Sequence, residues 1–203
     1  MQFKTLFAAS LLGFAAAAPT EGCVSTKTGP AKSGNSPVPK TFGLVALRFA
    51  SPIHFSASEN GFLLGLPADK QNATCSGKSD GSAVFRLSEG ELYLYNTGKK
   101  QQRAYTDRSG MGQGVLQYAT ETKNPLPDSF ETKGWKIDKS GNLNFDNASG
   151  FTACRDGPDG SWTVWIATGA THPGNTDAEC LGFNARVAEI EHPTSCFYSE
   201  YSG

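Results

Sequence analysis

GELYLYNTGKKQQRAYTDRSGMGQG, residues 90–114, is the stretch whose reading decides the fold. Leu92 and Leu94 alternate with Tyr93 and Tyr95, a period of two that marks a half-buried strand, because successive strand side chains face opposite sides of a sheet. The chain then crosses a polar run of Lys and Gln and enters Asp107-Arg108-Ser109-Gly110-Met111-Gly112-Gln113-Gly114, where glycine takes every second position from 110. Glycines so spaced permit positive φ or close backbone approach. A phosphate cradle would need a strand, a GxGxxG or Walker spacing and then a helix. Strands flank this loop instead, so the expected arrangement is a wide β-connection in which Asp107 or Ser109 bonds nearby N–H groups and Arg108 meets a carboxylate.

The same texture extends in both directions from Phe42 onward, with turn residues about every eight to twelve positions, the rhythm of an all-β domain. Candidate strands lie at 43–49, 53–57, 61–66, 82–88, 91–95, 102–106, 115–119, 134–138, 142–145, 151–154 and 161–168. Turn chemistry separates them, as in Glu59-Asn60-Gly61, Glu89-Gly90, Lys139-Ser140-Gly141 and Pro158-Asp159-Gly160. Residues 182–190 are the best candidate for a short helix and read equally well as a strand. Phe85-Arg86-Leu87 before Glu91-Leu92 is echoed by Trp135-Lys136-Ile137 before Asn142-Leu143, with Ala104-Tyr105-Thr106-Asp107 set against Ala153-Cys154-Arg155-Asp156. A poorer third copy begins at Ile53-His54-Phe55. The expected fold is a compact antiparallel β-sandwich or barrel, with a β-trefoil-like barrel as the alternative that the echo favours.

Upstream of this body, Lys4, the apolar run Leu6–Phe14 and the alanines at 15–18 read as a secretory signal over 1–17. That run is too short to span a bilayer, and the C-terminus lacks an apolar anchor tail, so no membrane anchor is expected. Residues 18–41 are rich in Ser, Thr, Lys, Gly and Pro and read as a flexible linker, leaving 42–203 as a single all-β domain. Loss of Lys4 with the signal leaves 17 of the 18 basic residues against 19 acidic ones, which offers no electrostatic basis for a nucleic-acid partner.

Export places Cys23, Cys75, Cys154, Cys180 and Cys196 in an oxidising compartment, where most should pair. Five is odd, and Cys23 in the linker is the candidate for the unpaired or intermolecular thiol. The expected bridges are Cys75 with Cys154 and Cys180 with Cys196, although spacing does not dictate connectivity. The sequons at Asn72 and Asn147 lie beside turn residues and are expected to carry glycans.

Chemistry-bearing motifs are scarce. His54, His172 and His192 share no metal-ligand spacing, the cysteines lack CxxC, and there is no GxSxG elbow, so neither a metal nor a cofactor nor a catalytic residue is expected. Carboxylates are plentiful, but glycosidase action needs two of them about 5–10 Å apart across a cleft. Aromatic placement is more suggestive: with Leu92 and Leu94 inward, Tyr93 and Tyr95 face outward, and Trp165 faces away from Trp162, Val164 and Ile166. Outward Tyr and Trp are surfaces on which sugar rings stack, so these three residues are the candidate glycan-binding set.

The strand GELYLY followed by DRSGMGQG resembles the phialide-development (phiA) cell wall proteins of filamentous ascomycete fungi. The resemblance runs through Gly134-Trp135, Ala153-Cys154, Asp159-Gly160-Ser161-Trp162, Pro173–Asp177 and Ser195-Cys196, and covers roughly 42–200. It implies a secreted, non-catalytic wall protein with a role in phialide and conidium formation, hence sporulation, and in stress protection of the wall. Its partners would be wall polysaccharides or other wall proteins, and the alternative reading, carried by Tyr93, Tyr95 and Trp165, is a glucan- or chitin-binding module.

Overall fold

The computed structural model describes residues 40–121 and 126–201; the leader at 1–17, nearly all of the linker at 18–41 and Cys23 lie outside the described residues. Strands form where the sequence alternates. They are β1 (Phe42–Ala46), β2 (Ile53–Ser58), β3 (Gly61–Leu64), β4 (Thr74–Cys75), β5 (Phe85–Ser88), β6 (Glu91–Leu94), β7 (Gln102–Asp107), β8 (Val115–Thr120), β9 (Trp135–Ile137), β10 (Asn142–Phe145), β11 (Phe151–Cys154), β12 (Trp162–Ile166), β13 (Cys180–Phe183), β14 (Ala185–Glu189) and β15 (Cys196–Phe197). Residues 182–190 therefore belong to two strands, not to a helix: Ala185 and Val187 pair with Ala46 and Leu44 across a sheet, which a 3.6-residue period would not allow. The tight turns Glu59-Asn60 and Glu89-Gly90 have φ of 48°, 66°, 50° and 78°, the positive pair that a two-residue hairpin turn demands.

Pairing resolves the fold into a barrel with threefold repetition. The pairs β5–β6, β9–β10 and β14–β1 are equivalent, and their first strands begin at Phe85, Trp135 and Ala185, at intervals of 50 residues. Contacts β1–β5 and β10–β14 and the bridge Glu91↔Lys133 join the three pairs edge to edge, closing a six-stranded barrel. The hairpins β2–β3, β7–β8 and β11–β12 form a cap, and their second strands β3, β8 and β12 pair with one another in a triangle. This is the strand plan of a β-trefoil, the alternative that the sequence echo favoured over a plain sandwich. One unit is completed only when β14 from the C-terminal part meets β1 from the N-terminal part, which explains why the third copy is hard to see in the sequence.

The repetition carries the core. Leu44, Leu92 and Leu143 occupy equivalent barrel positions opposite Val187, Leu87 and Ile137, and all three leucines are buried. In the cap the equivalent pairs are Phe55–Leu64, Ala104–Tyr118 and Phe151–Ile166, so the small Ala104 is matched by the large Tyr118. Ala104 is thus equivalent to Phe151, two residues before the Ala153 that the sequence echo suggested, a slip that preserves the face but not the residue. Burial of each such leucine, isoleucine or phenylalanine contributes on the order of 2 kcal/mol.

The cysteine bridges differ from the expected ones. Cys75 bonds Cys196 and Cys154 bonds Cys180, because each pair sits directly opposite across two antiparallel strands, β4–β15 and β11–β13, with Cα atoms 4.0 and 4.1 Å apart. The first bridge anchors a C-terminal segment that the sequence did not mark as structural. Tyr198 there is wholly buried; Gln102, also buried, accepts from the Tyr198 N–H at 2.8 Å and donates to its carbonyl at 2.8 Å, in place of a neighbouring strand. The Tyr118 hydroxyl donates to the Ser199 carbonyl at 2.5 Å, and the Val84 N–H donates to the Tyr198 hydroxyl at 3.2 Å.

Candidate functional site

Asp107, the last residue of β7, starts the loop 108–114 by accepting the Ser109 N–H on Oδ1 at 2.9 Å. The loop closes on itself: Gly114 N–H donates to the Asp107 carbonyl at 2.8 Å, Gln113 N–H to the Ser109 carbonyl at 2.8 Å, and Gly112 N–H to the Ser109 hydroxyl at 3.2 Å. Its glycines are not equivalent. A Cβ on Gly112 would enter the van der Waals space of Asp107, and one on Gly114, where φ is 92°, would enter that of the Ile166 carbonyl oxygen. Around Gly110 there is open space, and beside it Met111 is 93% exposed.

Two segments quoted for the family resemblance, the motif loop and Pro173–Asp177, converge here on β12. The Ile166 N–H of β12 donates to the Gly114 carbonyl at 2.8 Å, and the Gln113 side-chain carbonyl accepts the Gly174 N–H at 2.8 Å. Gly174 in turn lies on the Trp165 ring so closely that a Cβ would come within 2.9 Å of it. Trp165 is therefore half-buried, with the turn at Pro173–Asn175 on part of its ring and its indole N–H donating to the Thr163 hydroxyl at 2.9 Å.

On the other flank of the loop, Arg108 donates from Nε to Glu131 Oε1 at 2.8 Å and from Nη2 to Asp146 at 3.2 Å, and its guanidinium lies 5.0 Å from the Phe145 ring centroid. The hydrogen bonds to Glu131 raise the guanidinium pKa further above its already high ordinary value. An open groove of about 800 Å³ runs beside this cluster, lined by Arg108, Ser109, Glu131, Asn147–Ser149 and Ala167–Gly169. Glu131 is the one carboxylate in that lining, and Arg108 holds it.

The tyrosines do not join this site. Tyr93 lies on the face of β6 opposite Leu92 and Leu94, as the alternation suggests, yet it is only 8% exposed, since Arg86 stacks 4.1 Å over its ring and its hydroxyl donates to Glu91 at 2.8 Å. A strand in a closed barrel can be covered on its outer face by long neighbouring side chains, which period-two reasoning does not see. Burial and the hydrogen bond to Glu91 push the Tyr93 phenol up to about 12. Tyr95, just past β6, is half-buried, and its backbone bonds Val84 and Cys196. Among the described residues, Trp165 and the tyrosines share no hydrogen-bond or ring partner. Asn72 and Asn147 are both exposed.

Glu91 is the centre of a second polar cluster, bonded by Arg103 at 2.8 Å, Tyr93 and Thr132. Burial alone would raise its pKa, but the Tyr93 hydrogen bond and the Arg103 charge outweigh that and hold the carboxyl below its ordinary 4.5. A depressed folded-state pKa stabilises the fold above the unfolded value, and that stability is lost as pH falls through the folded one. Wild type is accordingly expected to be more stable than Glu91→Gln at neutral pH, with the gap closing below pH 4.5 in urea titrations. A gap that stays constant down to about pH 3 would contradict this role for Glu91.

The described residues contain no helix long and apolar enough to cross a membrane. The family model described as PhiA-like secreted protein matches residues 42–199. Cell wall protein phiA of Emericella nidulans is 41% identical over 164 residues, covering 79% of this chain and 87% of that one. Its namesake in Aspergillus fumigatus is 38% identical over 177 residues, 85% and 92% of the two chains. That of Arthroderma benhamiae is 34% identical over 209, 98% and 100%. No solved structure matches.

Proposed function

Because the chain belongs to the PhiA-like secreted protein family, we propose that it is a non-catalytic wall protein acting in phialide and conidium formation, hence sporulation, and in stress protection of the wall. Secretion and a place in the cell wall come with that membership. The developmental role is supported by the resemblance of GELYLY and DRSGMGQG to proteins of phialide development. The observation that carries the non-catalytic reading is the use made of the motif loop. Gly114 admits the β12 backbone, Gln113 bonds the 173–175 turn, and Arg108 is engaged by Glu131 and Asp146, so the loop holds the scaffold together. Partners are wall polysaccharides or other wall proteins, and glycans on Asn72 and Asn147 belong to the same reading.

Disrupting the gene and extracting washed hyphal walls tests this. Conidium yield is expected to fall in the disruptant, and the wild-type protein to resist water and salt washes and to leave the wall with SDS. Release only by reductant would instead assign Cys23 an intermolecular bridge. Normal conidiation together with protein found only in the medium would overturn the proposal. A glucan- or chitin-binding reading is favoured by the part of Trp165 that the 173–175 turn leaves uncovered. In that case the Trp165→Ala protein should pass into the salt wash; unchanged retention removes this residue from consideration.

A further inference from the structure

The groove beside the motif loop starts at a sequon. Asn147, Ala148 and Ser149 all contribute to its lining, and they sit on the turn that leaves β10, where Asp146 has φ of 46° and the Ala148 N–H donates to the Phe145 carbonyl at 2.9 Å. A glycan on Asn147 would therefore begin within the groove, and not on an open convex surface. At about 800 Å³ the groove falls within the roughly 300–1,000 Å³ typical of ligand sites. Its lining suits a sugar: hydroxyls of Ser109, Ser149 and Thr168, and the carboxylate of Glu131. Arg108 spends Nε and Nη2 on Glu131 and Asp146, which leaves Nη1 without a protein acceptor among the described residues.

We propose that the first N-acetylglucosamine of an Asn147-linked glycan is seated in this groove as a built-in ligand. Its acetamide and hydroxyl groups bridge the 147–149 turn to the motif loop and to residues 167–169. These are three segments that the chain itself joins through few side-chain contacts, chiefly Arg108 to Asp146 and the Thr168 hydroxyl donating to the Gln113 carbonyl at 3.1 Å. Exposed hydroxyls are satisfied by water until the sugar takes its place, and hydrogen bonds formed next to a covalent tether avoid the entropy cost of free binding.

The test uses the full-length protein secreted by a filamentous fungus. Glycopeptide mapping establishes occupancy of Asn147. An endoglycosidase that leaves one N-acetylglucosamine is then compared with a sugar-free Ser149→Ala variant, or with amidase-treated wild type should that variant not be secreted. Hydrogen exchange of peptides covering 108–114 and 167–170 is expected to be several-fold slower in the one-sugar protein. Thr168→Val, which keeps the sequon, should erase most of that difference. An unoccupied Asn147, or equal exchange in the one-sugar and sugar-free proteins, would overturn the seat. Slower exchange that is indifferent to Thr168→Val would also do so, since it would point to general shielding by the glycan.

Discussion

Replacing Cys75 and Cys196 together by alanine is expected to lower stability by about 5 kcal/mol. The bridge closes a loop with a sequence separation of 121 residues, and the conformational freedom it removes from the unfolded chain grows with the logarithm of that length. The Cys154–Cys180 bridge spans 26, for which the same relation gives about 3.5 kcal/mol. Local consequences widen the gap. Cys196 introduces the segment whose Tyr198 is buried and whose backbone is bonded by Gln102 and Tyr118, whereas Cys180 ties down β13, an edge strand outside the barrel. At roughly 2–4 °C per kcal/mol for a domain of this size, the first double variant should melt about 10–20 °C below wild type and clearly below the second. Calorimetry showing the reverse order would mean that the C-terminal segment holds its place without the bridge.

Gly114→Ala is expected to cost on the order of 3–5 kcal/mol, while Gly110→Ala should change stability by less than about 0.5 kcal/mol, although both lie in the same run of alternating glycines. At Gly114 two penalties coincide. The backbone has φ of 92°, and the new methyl would have to displace the Ile166 carbonyl and crowd the Thr168 methyl at 3.0 Å. The nearer neighbour, the Ile166 carbonyl, is backbone that cannot turn aside, and the Ile166 N–H is already bonded to Gly114. At Gly110 nothing lies within 4 Å. Chemical denaturation of the two variants decides the matter; comparable losses would show that the loop works through its flexibility and not through close backbone approach.

The strand at Glu91–Leu94, the two positive-φ turns and the division of apolar from polar residues were legible because each depends on neighbours a few positions away. The loop's internal bonding through Asp107 and Ser109 was legible for the same reason. Its contact with Gly174 was not: Gln113 and Gly174 stand 61 positions apart, and nothing in either peptide announces the other. Gln102 gave still less warning. A glutamine at a strand start, after Lys99-Lys100-Gln101, reads as solvated, yet it is buried and serves the C-terminal backbone on both sides.

From the sequence alone came export, an all-β body, the 50-residue echo and the family loop, since periodicity, turn chemistry and composition act locally. Tertiary structure decided which cysteines meet, that Arg86 covers Tyr93, that the motif loop and the 173–175 turn meet on β12, and that a sequon opens into a groove. Each of these depends on the register between strands distant in the chain, and closure of the barrel through β14 and β1 sets that register as a whole.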